Sequence, residues 1–111
     1  MTTRTIIDGK TIDQAARLLL EAAPAGSVVI LFGSYARGSA RAESDLDFLV
    51  VEPEARNQVD EMVRLTNALS GLSISVDVLV VSAERFEYWK DTPNTVFYRA
   101  AREGRMYEQV A

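Results

Sequence analysis

The chain has 111 residues, 48% of them hydrophobic and 25% charged, which suits one soluble globular domain with its own core and argues against disorder. A formal net charge of −4 disfavours a broad basic surface for nucleic acid. Cysteine and histidine are both absent, so disulfides, thiolate zinc sites, Cys-His pairs and Ser-His-Asp triads are excluded, and any general base is a carboxylate or solvent.

Residues 1–8 are polar and lack an apolar stretch with a cleavage site. No later apolar run approaches membrane-spanning length, so a cytoplasmic location is expected. Residues 11–23 carry Ile12, Ala15, Ala16, Leu19, Leu20 and Ala23 at helical spacing, with Thr11 as N-cap and Pro24 and Gly26 as the stop. Residues 27–32 are short, apolar and β-branched, bounded by Gly26 and Gly33, and read as a buried strand. A short helix is expected over 34–37 and a polar loop over 38–44. Residues 46–51 form a second buried strand, ended by Glu52 and Pro53.

Over 55–72, Val59, Met62, Val63, Leu65, Leu69 and Leu72 line one helix face, with Gly71 in the closing turn. Residues 74–81 make a third strand whose only charge is Asp77. Ser82 caps a helix over 83–90 that holds Phe86, Tyr88 and Trp89, aromatic residues expected mainly in the core. Thr92-Pro93 reads as the N-cap and first position of a last helix reaching Glu103, with Gly104 at its end and residues 105–109 as a brief strand or tail. The element order predicts an α/β domain with one mixed sheet of three to four strands, helices packed against it, and polar loops at one end.

The chemistry concentrates between Gly33 and Asp47. Asp45 and Asp47, spaced i, i+2 at a strand start, present their carboxylates on one face. Two like charges so placed are best tolerated with a cation between them, and oxygen-only donors favour Mg²⁺ or Mn²⁺ over zinc or copper. Gly33 lets the backbone approach a ligand closely, and Ser34 adds a hydroxyl at a helix start. A nucleoside triphosphate carrying its metal fits both halves. Alone, Asp45 reads as a turn residue, Asp47 as an edge position facing solvent, and Ser34 as a cap. Their co-occurrence with Arg37 and Arg41 in the loop shifts that reading. So does Asp77, a strand aspartate that is costly to bury without a partner and faces the same cleft if the third strand lies beside the second. Tyr35 is expected to pack beneath the loop.

Gly33-Ser34-x-Ala36-Arg37-Gly38, a short gap, then Ser44-Asp45-x-Asp47 resembles the signature of the minimal nucleotidyltransferases of the DNA polymerase β superfamily, and Asp77 is similar to their third carboxylate. The closing Arg99-Ala100-Ala101-Arg102-Glu103-Gly104-Arg105-Met106-Tyr107-Glu108 also looks like the family's C-terminal segment, so the resemblance covers about residues 12–108 of a single domain spanning 1–111. It implies the small nucleotidyltransferase fold, with Gly33 and Ser34 on the triphosphate and Asp45, Asp47 and Asp77 on two Mg²⁺ ions. Asp77 is then the candidate base. Arg37 and Arg41 either neutralise charge on the phosphates or are solvated loop arginines.

The resemblance further implies a metal-dependent transfer of AMP from ATP to a hydroxyl, namely a tyrosine of a helical HEPN toxin neutralised by this protein as antitoxin. A homo-oligomer is left open. The alternative is a non-catalytic binding module that neutralises a helical partner by complex formation; the intact Asp45, Asp47 and Asp77 weigh against it. Transfer to RNA ends is disfavoured by the net acidity and the lack of a basic stripe.

Overall fold

A computed structural model of the protein describes residues 5–109; the expected polar start at residues 1–4 and the last two residues of the single domain lie outside it. The chain runs α1 (Gly9–Ala22), β1 (Val28–Phe32), α2 (Ser34–Arg37), β2 (Leu46–Glu52), α3 (Gln58–Ala68) with a 3₁₀ turn (Ser70–Leu72), β3 (Val76–Ser82), α4 (Ala83–Trp89), α5 (Val96–Glu103) and β4 (Arg105–Glu108). The four strands form one mixed sheet in the order β3-β2-β1-β4, with β2 and β3 parallel and the other pairs antiparallel. The expected α/β class, single sheet and strand count are all present, and the final segment is a strand at the sheet edge beside β1. Among the described residues no helix is long and apolar enough to cross a membrane.

Period-2 alternation divides the strands between two cores. Val29, Leu31, Phe48, Val50, Val78 and Val80 face one way and pack with Ile12, Ala16 and Leu19 of α1 and Leu65 of α3. Ile30, Phe32, Leu49, Val51 and Val81 face the other way and meet Phe86 of α4 and Ala100 of α5. The sheet is therefore covered on both faces, which explains why its central strands read as continuous apolar runs rather than alternating ones.

Several boundaries differ from expectation for local reasons. The α1 cap is Asp8, whose carboxylate accepts the N–H of Thr11 at 2.8 Å, so Thr11 sits inside the first turn. The third helix starts at Gln58, because the Asn57 side chain accepts the N–H of Asp60. On that helix Leu65 and Leu69 are buried, but Val59 and Val63 lie off the stripe and are exposed. The last helix is capped by Thr95, not Thr92, with the Thr95 hydroxyl accepting the N–H of Tyr98 at 3.1 Å. Asn94, at φ +69°, bars a continuous helix from Pro93. Of the three α4 aromatics only Phe86 joins the core. Tyr88 is exposed, and Trp89 is partly so and meets it edge to face at 5.0 Å. Tyr35 packs as expected, its hydroxyl accepting the N–H of Ile7 at 3.0 Å.

Candidate functional site

The end of β1 and the starts of β2 and β3 meet at one end of the sheet. In the register, Phe32 pairs with Asp47 and Asp47 with Asp77. Adjacency of the second and third strands, which the sequence left conditional, is met. Since Asp47 precedes Leu49 by two residues and Asp77 precedes Leu79 by two, both carboxylates emerge on the α4/α5 face, and Asp45, just ahead of β2, stands near enough for its charge to act on Asp47. Asp77 is exposed, however, so the cost of burying a charge is not what marks it; its position comes from the parallel register opposite Asp47.

Asp47 is half-buried and carries the electrostatic record of the site. Burial raises its pKa above the ordinary carboxylate value, and the charges of Asp77 and then Asp45 push it further; Arg37 and Arg99 pull the other way. Asp45 is held in place by Ser75, whose hydroxyl donates to Asp45 Oδ1 and whose carbonyl accepts the N–H of Leu46 at 3.0 Å.

Gly33 opens the opposite wall. Its φ of +78° and ψ of −157° lie where only glycine sits comfortably, and a Cβ there would overlap the Asp47 carboxylate. The turn is thus pressed directly onto the acidic side chain. Its carbonyl accepts the N–H groups of Ala36 and Arg37, both at 3.1 Å, which starts the single turn of α2.

Phe32, Gly33, Ser34, Arg37, Asp47 and Arg99 line one cleft of about 330 Å³. Gly33, Ser34, Arg37 and Asp47, all singled out from the sequence, are therefore brought together. Arg41 is not among the lining residues: it is exposed in the loop, where its N–H donates to Ser44 Oγ at 2.8 Å and its carbonyl accepts the N–H of Ser44. Arg99 was missed. It is one of two exposed arginines on α5, and no local pattern reveals that this helix lies against β1 beside the Gly-Ser turn. A hollow of about 360 Å³ beside α1 has, among the described residues, Asp8 as the one charged side chain in its lining and offers no comparable chemistry.

Asp45, Asp47 and Asp77 are the residues that would hold a hard cation if one bound at this end of the sheet. They offer only oxygen donors, and their mutual repulsion is what such an ion relieves. In the side-chain positions seen, no three acidic side chains among the described residues are arranged around one point that an ion would occupy.

A family profile described as a nucleotidyltransferase domain matches residues 12–102. No curated protein matches the chain. Among solved structures, a chain from a toxin-antitoxin complex with AMP-PNP is similar at a TM-score of 0.62 and 20% identity, covering 93% of this chain and 75% of that one. A candidate nucleotidyltransferase of Sulfolobus solfataricus is 26% identical at a TM-score of 0.56, covering 74% of this chain and 73% of that one. A chain from the complex of a tri-AMPylated Shewanella oneidensis HEPN toxin with an MNT antitoxin is 17% identical at a TM-score of 0.59, covering 90% and 71%. What the two complexes share with this chain is the fold.

Proposed function

The chain belongs to the nucleotidyltransferase domain family, and from that premise we propose that it transfers AMP from ATP to a hydroxyl acceptor in a metal-dependent reaction. The acceptor in this reading is a tyrosine of a helical HEPN-type toxin, which makes the protein an antitoxin. The fold it shares with chains from toxin-antitoxin complexes, one with AMP-PNP and one with an AMPylated HEPN toxin, supports the choice of partner and nucleotide. The observation that carries the reading is the pairing of Asp47 with Asp77 on adjacent strands, with Asp47 pressed against the Gly33-Ser34 turn in one cleft.

Asp45, Asp47 and Asp77 would hold Mg²⁺, as two ions, with Mn²⁺ as a substitute. When bound, the metal lowers the pKa of the attacking hydroxyl and stabilises charge on the leaving pyrophosphate. Gly33 and Ser34 receive the triphosphate, the glycine by close backbone approach and the serine by its hydroxyl. Arg37, on the same wall, offsets phosphate charge. Arg41 lies farther out in the loop and would meet the nucleotide only from there. Asp77, exposed on β3 opposite Asp47, accepts the proton of the acceptor hydroxyl. The acceptor oxygen then bonds to the α-phosphorus as the bond to the bridging oxygen breaks, and pyrophosphate leaves with the electron pair.

One observation favours the second reading, a binding module that neutralises its partner by complex formation: no three acidic side chains among the described residues surround a common point. Asp47→Asn separates the two, since it keeps the side chain's size while removing one charge. As an enzyme, the variant still binds the partner, but modification and neutralisation stop. Neutralisation by Asp47→Asn at the wild-type level, with no label passing from ATP, contradicts the transferase reading.

A further inference from the structure

We propose that Arg99 is the second phosphate-binding arginine of the cleft: from α5 it pairs with the β- and γ-phosphate oxygens of a nucleoside triphosphate, and so selects triphosphate over monophosphate. This rests on the reading of the cleft as a nucleotide site.

The placement of Arg99 is built into the packing. The next residue, Ala100, is 2% exposed and sits in the core formed with Ile30 and Phe32 of β1. One turn further on, Gly104 leaves no room for a Cβ, which would collide with the Ala100 carbonyl and with Ile30 and press on the Leu31 carbonyl. The helix is therefore seated on the strand that leads into Gly33-Ser34, and Arg99 projects into the same cleft as that turn.

The two cleft arginines differ in their attachments. Arg37 donates to Glu103 Oε2 at 3.3 Å, and Glu103 stands on α5 four residues after Arg99, hence on the same helix face. The acidic member of that face thus holds the arginine of the opposite wall. Arg99 has no hydrogen-bonded carboxylate among the described residues, so its guanidinium fork keeps its donors for an incoming anion. A planar fork matches phosphate oxygens two at a time, which an ammonium does not. Together with Arg37 it places positive charge on both walls of a cleft whose floor is the carboxylate of Asp47. Such an arrangement attracts the charge-rich end of a triphosphate and has little to offer a monophosphate.

The test is calorimetry of wild type, Arg99→Ala and Arg99→Lys with ATP and AMP in the same Mg²⁺ buffer. Arg99→Ala is expected to weaken ATP binding roughly tenfold or more and AMP binding by less than about threefold, with Arg99→Lys between wild type and alanine for ATP. Arg99 is exposed, so both variants are expected to keep the wild-type melting temperature. Unchanged ATP affinity in Arg99→Ala, an equal loss for ATP and AMP, or full ATP affinity in Arg99→Lys overturns the assignment while the nucleotide site stands. Absence of ATP binding in wild type overturns both.

Discussion

Gly33 and Asp47 are tied together by contact: the glycine's φ of +78° lets the turn lie against the aspartate's carboxylate with no room for a Cβ. Gly33→Ala is therefore expected to cost about 1–3 kcal/mol in stability from backbone strain alone, read by denaturant unfolding, and to abolish ATP binding because the Asp47 side chain is displaced. Wild-type ATP affinity in that variant would remove the turn from the site. Asp47 offers a second check, made with chelator present. Its folded-state pKa is raised, first by burial and then by Asp77 and Asp45, so its contribution to stability is full below the unfolded value of 3.8 and is lost as pH rises through the higher folded value. Asp47→Asn lacks that loss, and should be more stable than wild type at neutral pH, with the gap closing in acid. A variant less stable than wild type at pH 7 would mean that the Asp47 charge is compensated within the metal-free protein.

Packing of α5 on β1 decides where the second wall of the cleft lies. Gly104 ends the helix at an ordinary φ of −74°, so its substitution tests space rather than backbone strain. Gly104→Ala is expected to crowd the Ala100 carbonyl and Ile30 and so distort the end of α5 and its seat on β1, at a cost of about 1–3 kcal/mol for overpacking, and to weaken ATP binding through displacement of Arg99. Melting and calorimetry on the same sample check both effects. Elements whose signals are local were legible in the sequence: the apolar run at Val28–Phe32, the short helix at Ser34–Arg37 and the Ser82 cap, whose hydroxyl accepts the N–H of Arg85. Thr92-Pro93 misled because a cap-and-proline pair outranks asparagine in any local scheme, whereas the left-handed Asn94 that breaks the helix is a tertiary outcome. Val59 and Val63 were counted toward a buried face because spacing gives a stripe but not its width. Gly33, Ser34, Arg37 and Asp47 of the cleft lining are visible in the sequence through the motif that joins the Gly-Ser turn to the paired aspartates. Arg99 was not, since it enters by a helix docked from the far end of the chain.

Across the whole molecule, the sheet end opposite the cleft holds a second set of ionisable groups. Glu52, the last residue of β2, is 1% exposed, and its Oε2 has no partner among the described residues. Burial, followed by the hydrogen bond and charge of Glu61, pushes its pKa up to about 7. Arg64 donates to both Glu61 oxygens and to the Ala22 carbonyl, each at 2.8 Å, which ties α3 to α1 and keeps Glu61 ionised. Glu52 therefore stabilises the fold fully below its ordinary value of 4.5, and that contribution is lost as pH rises through about 7. Glu61 shifts the opposite way and titrates below this window. Glu52→Gln should flatten the stability profile between pH 4.5 and 7 and raise stability at pH 8, as read by melting across pH; an unchanged slope would show that Glu52 does not bind the proton. At the cleft end, the proposed chemistry is the transfer of a nucleoside monophosphate. The direct measurement is incubation of the protein with Mg²⁺ and the proposed helical partner, using ATP labelled on the α-phosphate in one reaction and on the γ-phosphate in another. The expected result is that α-label appears on the partner, that γ-label is released as pyrophosphate, and that Asp47→Asn lowers transfer by at least about a hundredfold. Label reaching the partner from the γ-phosphate, or from neither position while the partner is still neutralised, would contradict it.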